Sequence, residues 1–518
     1  MSSIDFALLF HLPRAGSPAG EKFPETLRSL ETQSRPGHQW IALQDPDPVP
    51  LPEPYRTRTT VIPPEETPAA QLLTALHTAE TTALVYIYNA TRPVLLKSSA
   101  LDMLALVFKR HPDVAWIYAD YERISGEDVE EIHLLSPHEG RVRDNQDQGY
   151  VFTLDVAKLH LAGGVDPGVR YHPLYDLRLR MMEVGDVVHI SNKIRGSLYR
   201  VEVPARGANV FDYLLASKES QLEAERLLTD HLRRIRAYLS PDLPYRRRPD
   251  PEEPPELKAS VIIPVYHRPE FIGTALDSVQ AQTVPEIEAI VVVNGGETDP
   301  TIPVVREYMP GGKRYRPEAP PVRLIVTDIN NIGFCLNLGV QAARGEFYVQ
   351  LDSDDRLKPN AVETILNLYR ENPEIGMVIG SYEVWEKLDS GEIVRVEDIP
   401  VVTHEEWTDE NGRNNLLRIN GAGAPRSLPI AVIKEMGWFG MNDDPYARNY
   451  GEDYDMVLHV SETYRIGRIY EPIYEVIRHA GGTDHSIDQA TVDLNDEAKD
   501  RMRLEAIRRR QKMNRKDL

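Results

Sequence analysis

The run Glu346-Phe347-Tyr348-Val349-Gln350-Leu351 is largely apolar and stops at Asp352-Ser353-Asp354-Asp355. Such a run predicts a strand in a sheet covered by other elements, with the acids at its carboxyl end. Alternate side chains of an extended segment point the same way, so Asp352 and Asp354 face one point while Ser353 turns away. Two carboxylates there suit a hard cation: Mg2+ or Mn2+ takes oxygen ligands and completes its shell with substrate phosphates. The plain alternative is a turn, because aspartates after a strand also bond their own backbone. The four residues by themselves do not separate the two readings.

Their neighbours do. Lys258-Ala259-Ser260-Val261-Ile262-Ile263-Pro264-Val265-Tyr266 reads as a buried strand, followed by Ile272, Leu276 and Val279 at helical spacing. A second apolar strand, 287–293, runs into Asn294-Gly295-Gly296. Asn330-Asn331-Ile332-Gly333 is a turn that leads into a helix carrying Leu336, Val340 and Ala343 and stopped by Gly345. Strands alternating with helices imply a mostly parallel sheet, and ligands of such sheets gather at the carboxyl ends of the strands. The loops after Pro264, Val293 and Leu351 all fall on that edge.

This order of motifs resembles the family 2 nucleotide-sugar glycosyltransferases over about residues 258 to 485. The resemblance implies an α/β fold of the GT-A type, Rossmann-like with a mostly parallel sheet, and inversion at the anomeric carbon. It makes Asp352 and Asp354 a DxD motif, with Asp354 on the metal and Asp352 near ribose and metal. It makes Gly451-Glu452-Asp453-Tyr454-Asp455 the site of a Glu-Asp pair whose Asp453 is the base, Glu452 beside it. Donor contacts are expected from Pro264, Val265, Tyr266, Glu270, Asn294, Asn331, Gly333, Asp352 and Ser353. A histidine after a later strand, His479 or His485, is expected on metal or phosphate. Two positions depart from the pattern: Asn294 stands where relatives carry a base-reading aspartate, and His267 where asparagine is common.

The chemistry agrees with these residue types. Attack of a hydroxyl on an anomeric carbon needs a base at the nucleophile and charge stabilisation on the leaving nucleoside diphosphate. One base and one displacement invert the centre, with no second carboxylate nucleophile required. The bland reading of Glu452-Asp453 is an acidic helix start, which the helix dipole favours in any protein.

The first half of the chain repeats the second. Thr26 to Ser34 aligns with Ala275 to Thr283, and Ala83 to Pro93 overlays Glu346 to Arg356 once the apolar runs are slid into register. Leu174-Tyr175-Asp176-Leu177 overlays Asp453-Tyr454-Asp455-Met456. The metal-motif aspartates then correspond to Tyr88 and Ala90, and Asp453 to Leu174. None of these coordinates Mg2+ or takes a proton, so residues 1–240 are expected to be a degenerate, inactive GT-A-like domain. A proline-rich, charged linker is expected over 241–256 and a catalytic domain with a C-terminal helix over 257–518, giving two tandem GT-A domains.

At 518 residues the chain is too long for one ordinary core. A formal net charge of -21 argues against nucleic acid as a partner. With the single cysteine Cys335 there is no internal disulfide and no cysteine-based zinc site. The absence of a long apolar run or a leader at Met1 predicts a cytoplasmic protein. Basic runs at Arg246-Arg247-Arg248 and from Arg508 to Lys516 allow peripheral contact with the inner face of a membrane, which would suit a lipid-linked acceptor.

The expected activity is therefore metal-dependent transfer of a sugar from a UDP, dTDP or GDP donor to a hydroxyl of a glycan or glycolipid, with a homo-oligomer also allowed. Two other classes use the same residues. A nucleotidyltransferase would attack an α-phosphate but would show a basic, glycine-rich loop where this chain has Pro264 to Pro269. A non-catalytic glycan-binding scaffold would not keep its acids in one half only. The acceptor is expected near Asn420-Gly421-Ala422-Gly423-Ala424-Pro425 and Trp438-Phe439-Gly440.

Overall fold

The computed structural model describes residues 4–192, 194–202, 217–388, 390–404, 407–419, 423–441, 450–479 and 488–516. The chain divides into two units, Met1–Arg236 and Ala237–Leu518.

Strands of the first unit are β1 (Phe6–Leu12), β2 (Gln39–Gln44), β3 (Thr59–Ile62), β4 (Ala83–Ile87), β5 (Val94–Leu96), β6 (Val114–Ala119), β7 (Tyr121–Ser125), β8 (Asp128–Ile132), β9 (Val151–Asp155), β10 (Asp186–Ile190) and β11 (Tyr199–Glu202). Those of the second are β12 (Leu257–Val265), β13 (Ile287–Val293), β14 (Val322–Val326), β15 (Gly345–Gln350), β16 (Arg356–Leu357), β17 (Ile375–Lys387), β18 (Ile393–Arg395), β19 (Arg426–Pro429) and β20 (Arg465–Arg478). Read from one edge, the main sheets run β3-β2-β1-β4-β9-β6-β10 and β14-β13-β12-β15-β19-β17-β20. Along these seven strands both are parallel except at β9 and β19, each of which pairs antiparallel with both of its neighbours, and the second sheet adds antiparallel β16 beside β20 and β18 beside β17. The α/β class expected from the alternation of strands and helices is what the chain forms.

Burial explains why the central strands read as unbroken apolar runs. All seven residues of β13 are buried, as are Ala259 to Ile263 of β12. A fully buried Val or Ile stabilises the fold by about 1.5–3 kcal/mol relative to exposure. The helix Ile332–Ala342 is started by Asn331, whose Oδ1 accepts the Phe334 amide at 2.9 Å. It lies so close on the sheet that a Cβ on Gly339 would fall 2.5 Å from Ile262 Cγ2.

The two units also share side-chain wiring. In the first, Gln33 Nε2 donates to Ser29 O and Lys97 O, and Ser29 Oγ accepts the Leu96 amide. In the second, Gln282 Nε2 donates to Ser278 O and Lys358 O, and Ser278 Oγ accepts the Leu357 amide. Tyr175 donates to Val142 O as Tyr454 donates to Leu416 O. Strand pairing sets the register. Ala83 sits opposite Asp155 and Phe347 opposite Pro429, each partner being the N-cap of the helix that follows. Counting on from there, Tyr88 corresponds to Asp352 and Ala90 to Asp354. The literal pairing of Ala83 with Glu346 is thus one residue out, and sliding the runs corrects it.

The proline-rich stretch after Arg236 is bound along the second unit. Leu239 and the Asn414 carboxamide exchange two hydrogen bonds, of 3.0 and 2.8 Å. Arg246 reaches Glu435 and the Tyr464 hydroxyl. Arg248 donates to Asn372 O and lies over the rings of Phe347 and Tyr369. Of this basic run Arg246 and Arg247 remain exposed, and Arg248 is half-buried. In the basic C-terminal stretch Arg509 pairs with Glu462, and Arg510 is fully buried on Arg413 O. Arg248 and Arg510 are thus turned into the protein, while Arg246, Arg247, Arg508, Lys512 and Arg515 stay exposed.

Candidate active site

At the carboxyl edge of β12 and β13 two loops are pinned to each other. Asp299 accepts the His267 amide at 3.0 Å and the Thr301 amide at 2.8 Å, so the chain after β12 is held against the chain after β13. Burial opposes the charge of Asp299, but these hydrogen bonds keep its carboxyl below the usual range. His267 sits at φ +48°, a left-handed conformation uncommon outside glycine. The Tyr266 ring beside it is half exposed. Asn294, 6% exposed, donates from Nδ2 towards Asn330 Oδ1 at 3.2 Å and Cys335 Sγ at 3.5 Å, while its Oδ1 has no partner among the described residues.

The acids follow β15. Burial alternates through this loop: Ser353 and Asp355 are buried, Asp352 and Asp354 more open. Asp355 is tied inward by the Ile477 amide, and burial holds its carboxyl well above the usual range. Asp352 is raised too, by burial first and by Asp354 beside it, with Arg426 acting the other way. Asp354 Oδ2 lies 2.9 Å from His479 Nε2, which brings the end of β20 to the loop. Two open carboxylates and an imidazole are a donor set that fits Mg2+ or Mn2+ shared with a diphosphate. Among the described residues, no three acidic, histidine or cysteine side chains form a ready-made metal cage.

The helix Glu452–Thr463 brings the second pair. Its N-cap is Gly451 at φ +90°, where a Cβ would also meet Met502 at 2.8 Å. Glu452 is 5% exposed, and burial together with the neighbouring Asp453 pushes its carboxyl up to about 7. Asp453 is also penalised by burial, yet Arg426 and then Lys499 hold it below the usual range. The pair is thereby split, with one acid ionised and the other keeping its proton to near neutrality.

Arg426 links the two acidic motifs, and nothing in the sequence pattern singled it out. It opens β19, which runs antiparallel to β15, so the start of one strand lies at the end of the other. Its Nη2 is 3.3 Å from Asp453 Oδ2 and its Nε donates to Gly423 O at 2.6 Å. Asp453, Asp352 and Glu452 together raise its basicity. A second unsuspected cation is Lys499, on the C-terminal helix Gln489–Lys516.

Residues 260–411 match the family described as Glycosyl transferase family 2. The second unit carries a family 2 glycosyltransferase domain. Similar curated proteins include EpsH of Bacillus subtilis, named as a glycosyltransferase, at 32% identity over 123 residues, or 24% of this chain and 33% of that protein. A chondroitin synthase of Escherichia coli is 32% identical over 119 residues, 23% of this chain and 16% of that one. An uncharacterized glycosyltransferase of Rickettsia typhi is 28% identical over 210 residues, 40% of this chain and 60% of that one. The chain thus spans about a third of the first of these relatives and less than two thirds of each. Among solved structures, S. aureus TarS overlaps at a TM-score of 0.33 with 20% identity, covering 43% of this chain and 37% of that one. The Pyrobaculum calidifontis mannosyltransferase PcManGT, in complex with GDP-Man and Mn2+, overlaps at 0.32 with 17% identity, covering 56% and 82%.

Within and beside the family 2 domain, several residues expected at the donor also make contacts within the chain. Asn331 caps its helix through Oδ1 and donates from Nδ2 to Met441 O at 2.8 Å. Gly333 is small because the Gly440 carbonyl packs on it; a Cβ would lie 2.0 Å away. Ser353 is on the buried side of the alternating loop, and the Val265 side chain is in the core. Pro264 is half-buried and Glu270 exposed. Phe439 is buried against Tyr348, whereas Trp438 is half-buried. His485 and residues 420–422 lie outside the described residues.

Proposed function

We propose that this chain is an inverting glycosyltransferase that uses a nucleoside diphosphate sugar, and that its second unit holds the active site. The observation that carries this is Arg426, a single half-buried guanidinium acting on both Asp352 and Asp453. Acids that lie about a hundred residues apart in the chain thereby belong to one site. Asp453, kept ionised, accepts the proton of the attacking hydroxyl. Glu452, protonated to near neutrality, adds no second negative charge beside it. Arg426 holds Asp453 in place and neutralises the acids before a substrate arrives. A divalent cation on Asp352 and Asp354, with His479 behind Asp354, would supply charge stabilisation to the departing diphosphate.

The donor base is read at the other loops. The open Tyr266 ring offers a stacking face. Asn294 Oδ1, buried and unpartnered among the described residues with its Nδ2 already engaged, accepts an imino N–H such as uracil, thymine and guanine present. The similarity to chondroitin synthase supports a glycan as acceptor. The first unit is inactive in this reading, since Tyr88, Ala90 and Leu174 occupy the three chemical positions. Acceptor binding, stabilisation and oligomerisation are the roles left to it.

Calorimetric titration of UDP, GDP and dTDP into the full chain, with and without Mn2+ and with Asp354→Ala, tests the proposal. One metal-dependent site, lost in the variant, is the expected result. Two sites would return nucleotide binding to the first unit, and no binding to any of the three would remove the donor reading.

A further inference from the structure

We propose that the second unit holds a small-anion site, of a size for one chloride ion, between Arg413 of the short helix Gly412–Asn415 and the indole of Trp407. The inference does not depend on the donor reading.

Arg413 is 7% exposed and Trp407 3%. Among the described residues, Arg413 Nε and Nη2 and Trp407 Nε1 are buried N–H donors with no acceptor. A buried donor left unmet costs about 1–3 kcal/mol, and more where the group is charged. Both side chains line one cavity of about 10 Å³, together with Tyr245, Asp409, Ser461 and Tyr464. That is about the room one water takes, so a monatomic ion fits and phosphate or sulfate does not.

The polar groups around the cavity are already engaged. Asp409, itself exposed, accepts from Arg465 Nε at 2.9 Å. The Tyr464 hydroxyl donates to Glu435 and accepts from Arg246, and Ser461 Oγ donates to Leu458 O at 2.9 Å. The Tyr245 ring covers the guanidinium, with Arg413 Cζ 4.1 Å from the ring centroid. Its face eases the burial of the charge without ending any of the N–H bonds.

Further positive charge stands behind Arg413. Arg510, fully buried, donates from Nη2 to the Arg413 carbonyl at 2.7 Å, and its Nε and Nη1 have no hydrogen-bond acceptor among the described residues. Glu462 lies 3.8 Å from Arg510 Nε but gives its two oxygens to Arg509, at 2.9 and 3.1 Å. Burial first, then Arg509 and Arg413, push the Arg510 guanidinium down to about 10 against the pull of Glu462. Arg413, Arg509 and Arg510 are thus set against one carboxylate, in a chain whose net charge is -21. A water would meet the donors and leave the excess charge; an anion meets both demands. Ser461 is eight residues beyond Asp453 on the helix Glu452–Thr463, about 12 Å along its axis, so the ion takes no part in the transfer itself. It would hold Arg413 beneath Tyr245 and so fasten the proline-rich stretch to the second unit.

The test is urea denaturation of the full chain at one fixed ionic strength, with sodium gluconate replaced stepwise by sodium chloride or sodium bromide. Screening is then constant, and only a bound ion changes the midpoint. The midpoint of the parent is expected to rise with chloride or bromide and to level off as the site fills. Arg413→Met is expected to lose that response, with a midpoint in gluconate no lower than the parent's, because a buried cation without a counter-ion has been removed. Asp409→Asn, which takes a negative charge from beside the cavity, is expected to tighten chloride binding by about threefold, the size of an exposed charge interaction. Broadening of the ³⁵Cl resonance by the native parent, reversed by bromide, reads binding directly and stands whether or not Arg413→Met folds. A parent that neither broadens chloride nor gains a saturable midpoint shift holds water only, and the proposal is overturned. A parent-like chloride response in Arg413→Met, or weaker binding in Asp409→Asn, places the ion elsewhere and overturns it too.

Discussion

Arg426 Nη2 lies 3.3 Å from Asp453 Oδ2, and the same guanidinium acts on Asp352 at the end of β15. This cation is what allows several carboxylates to share one buried corner. Breaking a buried pair by removing one partner leaves the other charge uncompensated, at a cost of about 3–5 kcal/mol. Arg426→Met is therefore expected to lower the urea midpoint by that order and to abolish turnover, with Arg426→Lys recovering part of the stability but little activity. A parent-like midpoint in Arg426→Met would show that the acids do not depend on it.

Asp453→Asn keeps the size of the base and removes its ability to take a proton. Nucleotide affinity is expected to stay near the parent value while turnover falls by about 10²–10⁴-fold. Single-turnover kinetics with matched calorimetry checks both, and unchanged turnover would take Asp453 out of the chemistry.

Glu452 gives a pH signature. Its carboxyl is raised from 4.5 to about 7 in the folded chain, so folding favours its protonated form. The sign follows: stability is fullest below the unfolded value, declines as pH rises from about 4.5 towards 7, and levels off above. The loss is up to about 3 kcal/mol by linkage. Glu452→Gln cannot ionise and is expected to flatten that decline in denaturation measured from pH 4 to 8. An equally steep decline in the variant would assign it elsewhere.

The corresponding loop of the first unit should answer differently. Asn89 is buried, accepting the His11 amide at 2.7 Å and donating back to His11 O at 3.1 Å. Asn89→Ala leaves those backbone groups without partners, at about 1–3 kcal/mol, and is expected to leave Mn2+-dependent nucleotide binding untouched. Asp354→Ala is expected to do the reverse. Equal loss of nucleotide binding in both would contradict an inactive first unit.

The strands, the acidic loop after β15 and the repeat were legible because each is local: an apolar run, a spacing, an alignment. Burial does alternate from Asp352 to Asp355, but β15 ends at Gln350 and the acids lie in a turn closed by the Asp355 amide on Asp352 O. Arg426 and Lys499 were not legible. Their roles depend on which strand is inserted antiparallel into the sheet and where a distant helix docks, and an isolated arginine or lysine in a sequence reads as surface. Asn331 and Gly333 read as ligand-facing turn residues, and the structure adds what the sequence did not show, a helix cap at Asn331 and the seating of Met441 and Gly440. Within the basic runs, charge in the sequence does not say that Arg248 finds an aromatic face and Arg510 a carbonyl indoors while their neighbours stay exposed.

The antiparallel strand β19 has a consequence for how the chain comes together. It joins β15 to β17 in the sheet, and Ser427 Oγ meets Tyr348 O across 79 residues of sequence. Contacts of such long separation form slowly during folding. Until β19 arrives, the acids at the end of β15 face one another with no guanidinium between them, so ionic strength should set the pace of that step. High salt, by screening the acids, should speed refolding of the second unit even where it does nothing for the stability of the finished protein.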